Sequence, residues 1–192
     1  MDDVLSDAEI LARLTEEDPA MFRLLVDRYS RRLFAYAWRY TACEADAEEI
    51  VQETLLRVYR GAANYDPARP FVPWLFTIIA NLCHNWHKRR PAATVSLDRE
   101  FGDNGRTMHD SLRGREKTPE AEALDAETAR EVREALDALP AAHKSVFLLY
   151  YYEDFSLQEI AAALGIPVGT VKSRLHNGGK RLADILERRL NA

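Results

Sequence analysis

The stretch from Ser156 to Leu182, SLQEIAAALGIPVGTVKSRLHNGGKRL, constrains the fold of this chain more tightly than any other. Ser156 and Glu159 stand at the spacing of a capping box, ahead of a helical run in which Leu157, Ile160, Ala161 and Leu164 share one face. Gly165 follows the last periodic residue, where a left-handed residue closes a helix, and Ile166-Pro167-Val168-Gly169 is a tight turn. The spacing predicts a second helix from near Thr170, with Val171 and Leu175 inward at i and i+4 and with Lys172, Ser173, Arg174, Asn177, Lys180 and Arg181 outward. Two short helices about a tight turn, the second basic and rich in donors, describe a helix-turn-helix whose second helix can enter the major groove of DNA. An ordinary helical hairpin with a solvated face is the plainer alternative.

Net charge is −5, the wrong sign for a chain that holds DNA by itself. Divided along the sequence it is −6 over residues 1–67, +4 over 68–90, −6 over 91–155 and +3 over 156–192. Phosphate neutralisation sets non-specific affinity, so two small basic patches on an acidic body predict weak binding to duplex unless a larger partner presents it. With 192 residues, 47% of them hydrophobic, the chain can bury a true core. No apolar run approaches the ~20 residues that span a bilayer, and the acidic MDDVLSDAEI does not read as a signal peptide, so a cytoplasmic location is expected.

Ahead of the helix-turn-helix, helices are predicted throughout and no alternating strand pattern occurs. Ser6 and Glu9 form another capping box, and Asp18-Pro19 is a cap and first turn for a long amphipathic helix carrying Phe22, Leu25, Tyr29, Leu33, Tyr36 and Tyr40 inward. Arg23, Arg28, Arg31, Arg32 and Arg39 fall mainly off that stripe and read as a solvated face. A third helix over 46–62 turns Ile50, Val51, Leu55 and Val58 inward and Glu49, Gln52, Glu53, Arg57 and Arg60 outward. After the proline-punctuated loop Tyr65–Phe71, a fourth helix over 72–90 buries Leu75, Ile78, Ile79 and Leu82, with Trp74 and Trp86 on the same side. Phe76, Thr77, Asn81, His84, Asn85, Lys88, Arg89 and Arg90 are left to reach solvent.

That loop and helix interleave aromatics, amides and cations without an acid after Asp66, the means by which single-stranded nucleic acid is gripped through stacking and phosphate pairing. Trp74 and Trp86 as core, with the cations complementing a helix C-terminus, is an equal reading of the same spacing. The hydrophobic period then disappears from Pro91 to about Pro119, a linker that could stretch roughly 90–100 Å. Beyond it, residues 120–139 read as a helix with Leu124, Val132, Leu136 and Leu139 inward, and Val146 to Tyr151 as a dense apolar one.

Other chemistries find little support. Cys83 and His87 share a helical face, but a zinc site would need further ligands from elsewhere, so no metal and no cofactor is expected. Cys43 and Cys83 form no CxxC pair. Neighbouring carboxylates such as Glu48-Glu49 diverge on a helix, and the sequence has neither a phosphate-cradling glycine loop nor a nucleophile elbow, so the chain is not expected to be an enzyme.

Two stretches in series resemble one family. DAEEIVQETLLRVYR with YDPARPFVPWLFTIIANLCHNWHKRR resembles domain two of bacterial sigma factors of the extracytoplasmic-function (ECF) group, and LPAAHKSVFLLYYYEDFSLQEIAAALGIPVGTVKSRLH resembles their domain four. The resemblance implies an all-α chain of two small domains, 1–92 and 120–192, joined by a flexible linker over 93–119. It implies core RNA polymerase and promoter DNA as partners, an anti-sigma factor as a further one, and transcription initiation as the task. Glu49, Gln52, Glu53 and Arg57 match the helix that docks on the clamp helices of the polymerase's largest subunit, while domain four meets the flap of the second largest. Tyr65, Phe71, Asn81, His84, Asn85, Lys88 and Arg89 lie in the region that captures the melted minus-ten element. Thr170, Lys172, Ser173, Arg174 and Asn177 match the reader of the duplex minus-thirty-five element, which Lys180 and Arg181 extend.

One departure stands out. The family usually continues with Arg-Ala-Arg after the His of the recognition helix, whereas His176 is followed by Asn177-Gly178-Gly179. Each glycine costs a helix roughly 1 kcal/mol relative to alanine, so the end of this helix is expected to fray or bend and to grip DNA weakly. A stand-alone helix-turn-helix regulator, binding a palindrome without polymerase, is the alternative function.

Overall fold

A computed structural model of the chain describes residues 5–14, 18–89 and 130–190. Every regular element among them is helical. The predicted linker over 93–119, Leu124 and Arg90 lie outside the described residues.

Local chemistry sets the helix starts where the sequence places them. In α1 (Asp7–Leu14) the Ser6 hydroxyl accepts the Glu9 N–H at 3.3 Å while the Glu9 carboxylate takes the Ser6 N–H at 2.7 Å, closing the capping box. Helix α2 (Pro19–Thr41) opens on Asp18, whose carboxylate accepts the Ala20 N–H at 2.9 Å, with proline in the first turn where its missing donor costs nothing. Helix α3 (Glu44–Gly61) runs into a single 3₁₀ turn, Ala62–Asn64, and α4 (Phe71–Arg89) follows the loop. Leu25, Leu33, Tyr36, Val58, Leu75 and Ile79 interdigitate at the centre of these four helices, with Ile10, Leu11 and Leu14 of α1 closing one side as a lid. The second set comprises α5 (130–137), α6 (Ala141–Tyr151), α7 (Leu157–Leu164) and α8 (Val168–Leu190), packed around Leu136, Val146, Leu149, Ile160 and Val171.

The two sets do not stand apart as a two-module reading of the sequence suggests. α7 lies along α4, and α6 touches both α2 and α4, so a single continuous apolar core joins them. Phe76, expected at the surface, is buried there, edge to face with Phe155 at 5.3 Å between centroids. Of the arginines of α2, Arg23 and Arg31 are exposed as expected, whereas three others depart from a solvated face. Arg28 pairs with Asp7 at 2.6 Å, Arg32 with Glu153 at 2.6 Å, and Arg39 lies over the Tyr152 ring. Helical period alone cannot show this, because the partners come from 21 and 121 residues away.

Helix α8 also differs from expectation. It runs unbroken through Asn177-Gly178-Gly179, and it starts at Val168, within the stretch expected to be turn. The reason lies in packing: Gly178 is buried, and a Cβ there would stand 3.6 Å from His143 and Phe147 of α6. Close approach of α6 to α8 holds this segment helical and offsets the intrinsic cost of the glycines.

Candidate nucleic-acid interface

The helix-turn-helix is built by three local devices. Ser156 and Glu159 cap α7 reciprocally, with the Glu159 N–H to Ser156 hydroxyl at 3.2 Å and the return bond at 2.8 Å. Gly165, at φ 63, ends α7 in the left-handed region, and its N–H bonds the Ala161 carbonyl. The Pro167 carbonyl then accepts the N–H groups of Thr170 and Val171 at 2.9 and 3.1 Å, so the turn becomes the first turn of α8. Val171 is fully buried and anchors that helix.

With Val171 inward, Lys172, Ser173, His176, Asn177, Lys180 and Arg181 are exposed, and Thr170 and Arg174 are half-buried. The Ser173 hydroxyl donates to the Thr170 carbonyl at 3.0 Å and would have to turn to meet a base. Two ammonium and two guanidinium groups, an amide and two hydroxyls along this helix form a donor set suited to base edges and phosphates.

Along α4, Asn81, Asn85, Lys88 and Arg89 are exposed and His84 is half-buried. Burial, and then the nearby charges of Lys88, His87 and Arg174, hold the His84 imidazole below its usual proton affinity. Ahead of α4, the Asp66 carboxylate accepts the Ala68 N–H at 3.0 Å and the Tyr65 hydroxyl donates to the Arg69 carbonyl, folding the loop on itself. Tyr65 is half-buried, its ring against those of Phe71 and Trp74. Phe71 must be corrected. It is only 6% exposed, its ring packed against those of Tyr29, Tyr65 and Trp74 at 5.3, 6.0 and 5.8 Å, so it supports the loop and cannot stack on a base as it stands. Trp74 and Trp86 are half-buried against the core.

On α3, Glu49, Gln52 and Arg57 are exposed and Glu53 is half-buried, bonded to Arg57 at 2.7 Å. An exposed i,i+4 pair of this kind contributes only ~0.3–0.5 kcal/mol. Leu56 and Tyr59, 44% and 47% exposed, belong to the same face and were missed from the sequence. Their signal was present, since Leu56 stands three and four positions beyond Glu53 and Gln52, but an apolar side chain on a helix is assigned to the core first.

No cluster of three or more His, Cys, Asp or Glu is arranged to hold a metal ion among the described residues, and no described helix is long and apolar enough to cross a membrane. Cys83 is buried, and burial pushes its thiol well above the ordinary range.

Sigma-70 region 2 matches residues 25–92, and Sigma-70, region 4 matches residues 129–182. Over 174 residues the sequence is 31% identical to the ECF RNA polymerase sigma factor SigW of Bacillus subtilis, spanning 90% of this chain and 92% of SigW. This chain belongs to the ECF sigma factors. It directs RNA polymerase to promoters. It is also 33% identical over 162 residues to the ECF sigma factor SigE of Mycolicibacterium smegmatis, covering 84% of this chain but 60% of that longer protein. Among solved structures, CnrH in complex with the cytosolic domain of CnrY shares the fold, with a TM-score of 0.68 and 24% identity over 95% of this chain and 97% of CnrH. The region 2 match includes the loop and α4, and the region 4 match includes α7 and most of α8, so both candidate readers of this sigma factor fall inside family segments. A stand-alone regulator would have no use for region 2, and that alternative is not favoured.

Proposed function

We propose that the sigma factor divides its work among three faces, within domains of residues 1–92 and 120–192. The outward face of α3, with Glu49, Gln52, Glu53 and Arg57 joined by Leu56 and Tyr59, docks on the clamp helices of core polymerase. The domain of residues 120–192 meets the flap. Tyr65, Asn81, His84, Asn85, Lys88 and Arg89 capture the melted minus-ten element, with Phe71 buttressing Tyr65 from below. Thr170, Lys172, Ser173, Arg174 and Asn177 read the duplex minus-thirty-five element, with Lys180 and Arg181 toward its backbone. The protein acts without catalysis of its own, in the cytoplasm where polymerase works, and a helical anti-sigma factor covering the polymerase-facing surfaces is its proposed inhibitor.

The observation that carries this reading is the polar, basic face of α8 left open while Val171 and Gly178 hold the opposite side to its domain. Run-off transcription with core polymerase tests it. Lys172→Ala and Arg174→Ala should each lower initiation about tenfold or more, since a good base contact is worth ~1–3 kcal/mol. On a template whose minus-thirty-five element is scrambled, the same substitutions should cost almost nothing further. Equal losses on both templates would rule out sequence reading by α8.

A further inference from the structure

Beyond the residues assigned to base reading, α8 carries no lysine or arginine between Arg174 and Lys180. Lys180 and Arg181 follow Asn177 at i+3 and i+4, so they continue the helix face that bears Thr170, Ser173, Arg174 and Asn177. They do not stand on a convex surface. With Asn177, Asp184 and His143 of α6 they line a cavity of about 370 Å³. The close approach that Gly178 permits brings His143 there, its Cδ2 3.8 Å from where a Cβ at 178 would lie. Among the described residues no carboxylate forms an ion pair with Lys180 or Arg181, although Asp184 lines the same cavity. The His143 Nδ1 is shut off from solvent and has no hydrogen-bond partner among the described residues. Unpaired cations and an unsatisfied ring nitrogen that can take a proton, gathered around one cavity, are the complement of an anion.

We propose that the cavity between α6 and α8 binds a phosphate group, one in the backbone of the duplex that α8 reads, through Lys180, Arg181 and His143. The proposal rests on the assignment of α8 as the minus-thirty-five reader. Distance favours DNA as the source of the phosphate. Lys180 lies ten residues beyond Thr170, about 15 Å along the helix axis. The major groove is ~12 Å wide, so a helix whose first turn meets bases reaches the sugar–phosphate wall at about this point. Binding there is coupled to a proton. Burial, and then Arg181 and Arg174, hold the His143 imidazole below its ordinary proton affinity in the free chain. The charges that act on it all come from α8. Lys144, its neighbour on α6, is turned to Asp137 of α5 and to the Tyr40 carbonyl of α2, and among the described residues α4 and α7 turn no charge toward it. A phosphate offsets the charges of Arg174, Lys180 and Arg181 and so favours the imidazolium. The bound chain holds more protons than the free one, and affinity for duplex rises as pH falls through the range in which His143 titrates. Asp184 opposes the anion, which keeps the cavity weak for a free phosphate that lacks the other contacts of the duplex.

The test measures binding of the chain, assembled with core polymerase, to promoter duplex by fluorescence anisotropy. Lys180→Gln with Arg181→Gln should weaken binding about tenfold and reduce the slope of log affinity against log salt by about 0.9, the value for one phosphate. His143→Gln keeps a donor but cannot titrate. Wild type should gain affinity severalfold between about pH 7.5 and 5.5, whereas His143→Gln should match it at the upper end and lose most of that gain. Asp184→Asn, which removes the opposing charge, should tighten binding severalfold, a change that no loss of folding imitates. Single methylphosphonate linkages placed along both strands should reveal one position whose neutralisation weakens wild type about as much as the double substitution does, and costs the double variant nothing further. Parallel pH profiles in wild type and His143→Gln overturn the part given to His143. An unchanged salt slope in the double variant, or the lack of a linkage that falls silent in it, overturns the backbone phosphate. If inorganic phosphate at constant ionic strength shifts the titration of the His143 ring in the free chain while no linkage falls silent, the cavity takes a free phosphate and its assignment to DNA is overturned. If Lys172→Ala leaves discrimination between intact and scrambled minus-thirty-five elements untouched, α8 is not the reader, and the assignment beneath the proposal fails instead.

Discussion

Helices α4 and α8 are 19 and 23 residues long, and both carry the side chains proposed to meet DNA, but they relate to their cores differently. α4 commits Phe71, Leu75, Phe76, Ile79, Ala80 and Cys83 to burial and is packed by α2, α3, α6 and α7. Outside are left Asn81, Asn85, His87, Lys88 and Arg89, all in its C-terminal half, with the half-buried Tyr65 in the loop before it. α8 lies at the margin of its domain, with Val171 and Gly178 buried and most of its polar residues open. A helix in the middle of a bundle can present few groups, held rigidly, which suits capture of separated bases one at a time. A marginal helix can be laid into a groove along much of its length.

The sharpest way to break this contrast is at Phe71. Truncation to alanine should remove the buttress beneath Tyr65 and Trp74 and cost ~3–5 kcal/mol, seen as a large drop in denaturant midpoint. Tyr65→Ala should be much milder in stability while impairing initiation. If Phe71→Ala melted like wild type and lost only transcription, its ring would have to leave the core to meet DNA, and the rigid account of α4 would fail.

On α8 the glycines separate packing from propensity. Nothing lies within 4 Å of a Cβ at Gly179, so Gly179→Ala should stabilise the chain by up to about 1 kcal/mol. Gly178→Ala gains similar helix propensity and makes ordinary contact with His143 and Phe147, whereas Gly178→Leu should lower the melting temperature by forcing α6 and α8 apart. A stable Gly178→Leu protein would mean that the close approach is unimportant and that the expectation of a frayed helix end was nearer the truth.

The smallest effect expected is one of pH. His84 binds its proton less readily in the folded chain than the ordinary value of 6.5 allows, chiefly because of burial and then because of Lys88, His87 and Arg174. The unfolded chain therefore takes up the proton first as pH falls. The stability contributed by neutral His84 is complete above 6.5 and is lost as pH drops below it toward the folded-state value. His84→Gln should flatten the melting temperature in that range, by a modest amount because solvent screens a half-exposed group. Equal slopes in the two proteins would remove His84 as their cause.

Much of this was legible without coordinates because it is local. The caps at Ser6, Asp18 and Ser156, the closing Gly165 and the inward Val171 each depend on residues within four positions, and periodicity carried most of the core. The outward faces of α3, α4 and α8 follow from the same period. What the period misassigned were residues whose environment is supplied from afar: Phe71 beneath the loop, Phe76 against Phe155, Arg32 on Glu153, and Gly178 against α6.

By itself, then, the sequence determined the helices, their caps and the outward faces proposed to meet polymerase and DNA, since hydrogen bonds and side-chain period act within a turn or two. Only the tertiary structure decided that the two halves meet and that two charges are buried between them. Those contacts join residues more than 100 positions apart, and no local rule selects one distant partner from the many surfaces of similar composition.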